Sequence, residues 1–257
     1  MRAFGRTISI TAVLVSLAGM AAAADIRLLS VGAVQNAVRP LAADFSKDTG
    51  HKIVFTVGSP AVVAQKIKDG EIFDAVIVSE PAMDRLDKEG IVNPESRVRL
   101  ANTGIGVAVR AGAPTPNLAT PDAFKQALLA AKSVVYGDPT LPNQSGEKAE
   151  QILAEAGILD ALKPKLRIVP GQAESQDLIA RGEVEMGLYN LSEIPEGKGL
   201  KIAGPVPAPL QIATSYEGAL MSDGSVPQAA REFIRFLSEP EARAKWLAAR
   251  LEPLAGH

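Results

Sequence analysis

Short apolar segments that run directly into small-residue turns and then into amphipathic stretches recur along this chain, and that alternation confines it to a narrow set of folds. Residues 26–30 (IRLLS) pass through a turn at 31–33 into a stretch with Val34, Ala37, Val38, Leu41 and Phe45 at helical spacing. Pro40 falls inside that stretch and is expected to bend the helix or move its start, and Gly50 ends it. Residues 53–57 lead through Gly58-Ser59-Pro60 into a helix expected to bury Val62, Val63 and Ile67. Serine followed by proline suits a helix start, because serine caps and proline fits the first helical position. Residues 74–78 (DAVIV) then run through Ser79-Glu80-Pro81 into a helix ending near Gly90. Three strand-turn-helix units in succession predict a parallel sheet with right-handed crossovers, an α/β fold.

The same grammar returns after a break. Residues 103–110 (TGIGVAVR) form a glycine-punctuated strand, and 111–120 form a proline-containing loop expected to leave a first lobe for a second. A helix over 121–131, a strand at 133–136, a helix up to Gly157, a strand at 166–169, a short helix over Leu178 and Ile179, and a strand at 185–189 follow. After a strand at 200–203, the segment 204–211 (GPVPAPLQ) carries three prolines at alternate positions. Such a segment is extended and stiff and suits a return crossing between lobes. A strand at 215–221 and two helices, one over Phe233, Ile234 and Leu237 and one capped by Ser238 and Pro240, close the chain. Trp246 is expected to anchor the last helix, and His51 is expected at the surface.

The stretch 137–146 (GDPTLPNQSG) stands between the strand at 133–136 and a helix bearing Ala149, Ile152, Leu153 and Ala156 on one face. A glycine- and proline-rich turn opening a helix points backbone N–H groups outward, which suits a small anion without any charged side chain.

The first residues carry Arg2 and Arg6, an apolar run over 8–20 and alanines at 21–24, the pattern of a secretory signal peptide, 1–24, cut after Ala24. Cleavage leaves 233 of the 257 residues, and loss of Arg2 and Arg6 takes the formal charge from −2 to −4. A mildly acidic chain is not a nucleic-acid binder by its overall field. With no cysteine, neither disulfides nor a lipid anchor at the cleavage site is available, so the mature protein is expected to be free in the periplasm, without membrane insertion. Only two histidines, His51 and His257, are present, which speaks against histidine acid-base chemistry or a histidine-rich metal site.

The segments 45–67 (FSKDTGHKIVFTVGSPAVVAQKI), 73–92 (FDAVIVSEPAMDRLDKEGIV), 136–139 (YGDP), 157–166 (GILDALKPKL) and 182–190 (GEVEMGLYN), in that order and spacing, resemble the periplasmic molybdate-binding proteins of ABC importers across nearly all of the mature chain. The resemblance implies a two-lobed type II periplasmic binding fold, each lobe a mixed, mostly parallel sheet flanked by helices, with two crossing strands as hinge. Lobe I would comprise 25–108 and 208–257, and lobe II 109–207. It further implies a monomer without catalysis, cofactor or metal, which traps a small anion between its lobes and passes it to a membrane ABC permease.

Carried over position by position, the ligand shell differs from the family's. The serine of the first turn falls on Ala33, beside Gly32. The second turn matches Gly58, Ser59, Pro60 and Ala61, with Pro60, which has no N–H, where the family has a hydrogen-bonding serine. Ser79 heads the third helix. In lobe II the matching positions are Gln144, Ser145 and Gly146, then Gln172, while the tyrosine that closes on the oxyanion falls on Asn190, with Tyr189 adjacent. The amides of Gln144, Gln172 and Asn190 suit a small organic anion as well as a molybdate-like oxyanion.

Two other classes are weighed against this reading. A secreted serine hydrolase on the same frame lacks a Gly-x-Ser-x-Gly elbow, and the Ser145-x-x-Lys148 match stands without the other motifs of penicillin-interacting enzymes. Asp48-Thr49-Gly50 is single, whereas aspartic-protease chemistry needs two carboxylates. A ligand-sensing subunit of a membrane receptor shares every feature of a transport receptor.

Overall fold

The computed structural model describes residues 23–140 and 144–254. Residues 1–22 of the expected leader, residues 141–143 of the glycine- and proline-rich turn and residues 255–257 lie outside them. In chain order the elements are β1 (Asp25–Val31), α1 (Gln35–Thr49), β2 (Lys52–Gly58), α2 (Pro60–Lys68), β3 (Ala75–Ser79), α3 (Glu80–Lys88) and β4 (Val98–Arg110). Then come α4 (Pro121–Ala130), β5 (Val134–Gly137), α5 (Gln144–Glu155), α6 (Leu159–Leu162), β6 (Leu166–Val169), α7 (Gln172–Ala180), β7 (Met186–Asn190) and β8 (Leu200–Pro205). The chain ends with β9 (Ala213–Leu220), α8 (Pro227–Phe236), α9 (Arg243–Ala248) and β10 (Glu252–Pro253).

The strands run in the order β2-β1-β3-β9-β4-β7-β5-β6, with β8 and β10 each paired to β4. Pairing is parallel where helices cross over, β1 with β2 and β3, and β5 with β6 and β7, and antiparallel at every partner of β4. The architecture is the two-lobed type II periplasmic binding fold. One core gathers residues from 26–101 and 216–251, including Leu28, Val76, Phe233 and Trp246. Two others draw only on residues within 105–206, around Phe124, Tyr136 and Ile152, and around Ile179 and Tyr189.

β4 is longer than the sequence pattern indicated, and it belongs to both halves. Its first part, Val98 to Gly104, pairs with β9, and Ile105 to Val109 pair with β7. The return crossing, 206–212, lies between β8 and β9 and is fastened to β4 by one side chain. Gln211 accepts from the Ile105 N–H at 2.7 Å and donates to the carbonyls of Ile105 (2.8 Å) and Val206 (3.0 Å). A Cβ on Gly104 would lie 2.7 Å from the Gln211 amide carbon, so glycine there makes room for this clasp. Lys148 of α5 adds a second tie, donating to the Ala213 carbonyl and the Thr214 hydroxyl, and burial brings its ammonium down to about 8.

Several local expectations change. Pro40 is accommodated inside α1, which starts at Gln35. Val62 is 43% exposed, because it folds over Gly58 instead of into the core, and Val63 fills the inward position. The last helix is preceded by a 3-10 turn capped at Glu239, with no side-chain bond from Ser238 to a helix N–H. His51 is buried, not at the surface: its Nδ1 accepts from the Ala24 N–H at 3.0 Å and its ring stacks on Phe45. Trp246 is the buried anchor expected, its indole N–H donating to the Leu237 carbonyl at 2.8 Å.

The Gln211 clasp yields a direct test. Gln211→Ala leaves the Ile105 N–H without its partner, while the Ile105 carbonyl keeps the Val206 N–H, and an unsatisfied buried group costs about 1–3 kcal/mol. Urea unfolding is expected to show a loss of about 1–3 kcal/mol with an unchanged denaturant slope.

Candidate functional site

The carboxyl ends of the parallel strands and the starts of the helices that follow them converge on one cavity of about 890 Å³. This is where ligands sit in open α/β sheets, and the volume falls in the range of organic-ligand pockets. Gly32 and Ala33 after β1, Gly58 to Ala61 at the start of α2, and Ser79 at the start of α3 form one wall. Ser145 of α5, Gly171 and Gln172 at the start of α7, and Asn190 at the end of β7 form the other.

Each wall is built from helix-start chemistry. Ser59 takes an extended backbone as the cap of α2, and its hydroxyl accepts from the Val62 N–H at 3.4 Å. Ser79 and Gly171 take the same extended conformation ahead of α3 and α7. Helix starts of this kind carry partial positive charge, and these three stand at the cavity wall. At α5 the approach is closest: a Cβ on Gly146 would lie 2.2 Å from the Gly137 carbonyl oxygen, so only glycine lets this helix begin against the end of β5.

Nine of the twelve candidate residues therefore line the cavity: Gly32, Ala33, Gly58, Ser59, Ala61, Ser79, Ser145, Gln172 and Asn190. Gly146 is buried behind the wall against β5. Tyr189 is fully buried in the core with Ile179 and Val184, because neighbouring strand residues face opposite ways and Asn190 takes the cavity side. Gln144 opens α5, and its side chain lies outside the described part of the structure.

The cavity also holds residues that the sequence reading did not assign to it. Lys68 and Arg85, from the last turns of α2 and α3, line it together with Glu89, and Tyr216 of β9 contributes from the hinge side. The most unusual is Glu193, in a 3-10 turn (Leu191–Glu193) directly after β7. Its Oε2 accepts from the Asn190 amide at 2.9 Å, and its backbone carbonyl accepts from Gln176 Nε2 of α7 at 2.9 Å. The turn is also tied across the cleft, where Asn36 of α1 donates to the Ser192 carbonyl at 3.2 Å.

Among the described residues Glu193 has no ion-pair partner, and the Asn190 Oδ1, itself buried, has no hydrogen bond. Burial pushes the Glu193 carboxyl up to about 7, against the opposing hydrogen bond from Asn190. Burial first, and the Glu193 charge second, hold the nearby Tyr216 phenol well above its ordinary value. No group of three histidine, cysteine or acidic side chains suited to a metal occurs among the described residues.

Comparison with known proteins places this geometry. The model of the family described as bacterial extracellular solute-binding protein matches residues 26–249. A protein named aconitate isomerase from Pseudomonas sp. is 32% identical over 245 residues, covering 92% of each chain. The molybdate-binding protein ModA of Azotobacter vinelandii is 26% identical, covering 88% of this chain and 89% of that one. The solved periplasmic molybdate-binding protein of the same organism superposes with a TM-score of 0.72 at 22% identity, covering 88% of this chain and 98% of that one. No helix among the described residues is long and apolar enough to cross a membrane.

The raised carboxyl has a consequence for stability. The folded state holds the Glu193 proton more tightly than the unfolded chain does, so the wild type loses stability as pH rises from about 4.5 through about 7. Glu193→Gln removes that loss. Its stability relative to wild type is expected to rise between pH 5 and pH 8 by up to about 3 kcal/mol, as read from denaturation at both pH values. Parallel pH profiles for the two proteins would refute the assignment.

Proposed function

This chain belongs to the bacterial extracellular solute-binding protein family, and from that premise we propose that it captures a small organic acid with more than one carboxylate in the interlobe cleft and delivers it to a membrane ABC importer. Lobe I (25–108 and 208–257) and lobe II (109–207) close on the ligand, and the closed form is what the importer reads, a population shift with no covalent step. The protein works in the periplasm after its leader, 1–24, is removed.

The observation that carries this reading is the make-up of the cleft. A buried dianion needs a full shell of donors in exchange for its hydration. Here the first turn offers Ala33 instead of a hydroxyl, the second offers Pro60 without an N–H, and Glu193 brings an acidic group into the same space. Those features disfavour a compact oxyanion such as molybdate. A longer ligand spreads its carboxylates among the helix starts of α2, α5 and α7, keeping its uncharged middle near Glu193. The relative named for aconitate, a propene bearing three carboxylates, points to the same ligand class.

That name also supports a second reading, in which the bound acid is isomerised as well as held. The cleft feature that favours it is Glu193, whose carboxyl sits near neutrality with no ion-pair partner among the described residues.

A thermal-shift panel of cis-aconitate, trans-aconitate, citrate, molybdate, tungstate and sulfate separates the ligand classes. A ligand at about a hundred times its dissociation constant adds roughly 2.7 kcal/mol, which for a chain of this size is roughly 5–10 °C in melting temperature. The tricarboxylates are expected to give such a shift and the inorganic oxyanions none. Stabilisation by molybdate alone would overturn the organic-acid reading.

A further inference from the structure

We infer that Glu193 is the group that moves a proton on carbon in the ligand of this cleft, so that a polycarboxylate with a carbon-carbon double bond beside a methylene is isomerised there. The inference rests on the organic-acid reading of the cleft. It assigns to one residue a chemical step that binding alone does not need.

The placement of Glu193 suits proton transfer. Glu193 lines the cavity, while the turn that carries it is fastened by Gln176 to α7 and by Asn36 to α1. The Asn190 amide holds Oε2, and Oε1 has no hydrogen-bond donor among the described residues. A carboxylate kept for structure is usually tied into an ion pair, as Asp74 is with Arg27 and the Ser225 backbone. Glu193 has no such tie. The Asn190 Oδ1 beside it is 3% exposed as a residue and unpartnered, an acceptor held ready in the cleft wall.

The charged and titratable surroundings suit an acid-base group. Tyr216 of β9 packs near the carboxyl and stays neutral, so it adds no charge of its own. Lys68, Arg85 and Glu89 line the same cavity from α2 and α3. A carboxyl that changes protonation near 7 exists in both forms at neutral pH, which is the condition for giving back a proton as readily as taking it.

In the step itself, the ionised Glu193 takes a proton from the methylene carbon, which lies between a carboxylate and the double bond. The C–H bond breaks, a carboxylic O–H forms on Glu193, and the electron pair spreads over the three-carbon unit onto the flanking carboxylate oxygens. Helix-start N–H groups of α2, α5 and α7 face the charge that develops on those oxygens. Return of the proton to the far carbon forms a new C–H bond and leaves the double bond shifted by one position. Nothing is oxidised or reduced, and Glu193 ends ionised as it began. In aconitate the two outer carbons each carry a carboxylate, so the shift returns aconitate, and it exchanges the cis and trans forms when the former single bond is held in the opposite geometry to the former double bond.

The test is proton NMR of cis- and trans-aconitate in D₂O with wild type, Glu193→Gln and Glu193→Asp, beside calorimetric binding of the same compounds. Wild type is expected to exchange the methylene and vinyl hydrogens for deuterium and to interconvert the two isomers. Glu193→Gln is expected to lose that exchange by 100-fold or more, the usual worth of a general base, with affinity held within about tenfold. Glu193→Asp, which keeps the carboxyl, is expected to recover part of it. Binding of aconitate by wild type with no exchange overturns this inference and leaves the receptor reading intact. Exchange that survives in Glu193→Gln overturns the assignment to this residue. Absence of binding removes the organic-acid reading and this inference with it.

Discussion

Everything in this molecule hangs on β4 serving two sheets at once. Its first seven residues complete the sheet of the N-terminal core and its later residues seed the second, with β9 and β8 along one edge and β10 and β7 along the other. A continuous strand cannot slip in register without turning its side chains to the wrong faces, so it fixes how the two halves are aligned. The return crossing has two prolines, Pro207 and Pro209, and few N–H groups to pair, and the side chain of Gln211 supplies what a ladder would have given. The cleft lies directly over this junction, at the strand ends where helix starts from both halves meet.

The fold was legible because the chain is locally consistent. Buried strands such as 75–79 are apolar throughout, glycines with left-handed backbone end α1 and follow α3, and serine-proline or threonine-proline pairs open α2 and α4. Pattern, turn chemistry and capping all point the same way, which is the condition for reading a fold without alignment. The errors arose where tertiary contact overrides local preference. Val62 has the periodicity of a core residue, yet it closes over a glycine at the cleft mouth. His51 sits after a helix-ending glycine like a surface residue, yet the first strand and Phe45 bury it.

The site was legible only where it is made of backbone. Turns rich in small residues announce helix starts, and most of them do line the cavity. What could not be read were the side chains that arrive from elsewhere: Lys68 and Arg85 from the far ends of their helices, Tyr216 from the returning strand, and Glu193 from a short turn past β7. None of these lies in a motif, and their convergence depends on the closure of the sheet. Tyr189 shows the reverse case. A one-residue ambiguity at the end of a strand exchanges core and cleft, and here Asn190 holds the cleft side.

On the proposed reading, Glu193 is what separates this cleft from one made only to hold an anion. Helix starts stabilise negative charge with fixed partial dipoles, each a modest contribution. A carboxylate in the same volume opposes them, and any anionic ligand drives it toward its protonated form. A pure anion receptor gains nothing from that conflict, since an asparagine or serine at the same place would donate at every pH. On the proposed reading, the conflict has a use because the proton itself is wanted in the cleft. A carboxyl kept near neutrality by burial, held on one oxygen by Asn190 and open on the other, is costly for binding and well matched to moving a proton. The scaffold of a receptor thus needs very little change to act on what it holds: one acidic side chain beside a ligand whose charges are already carried by the surrounding helix starts.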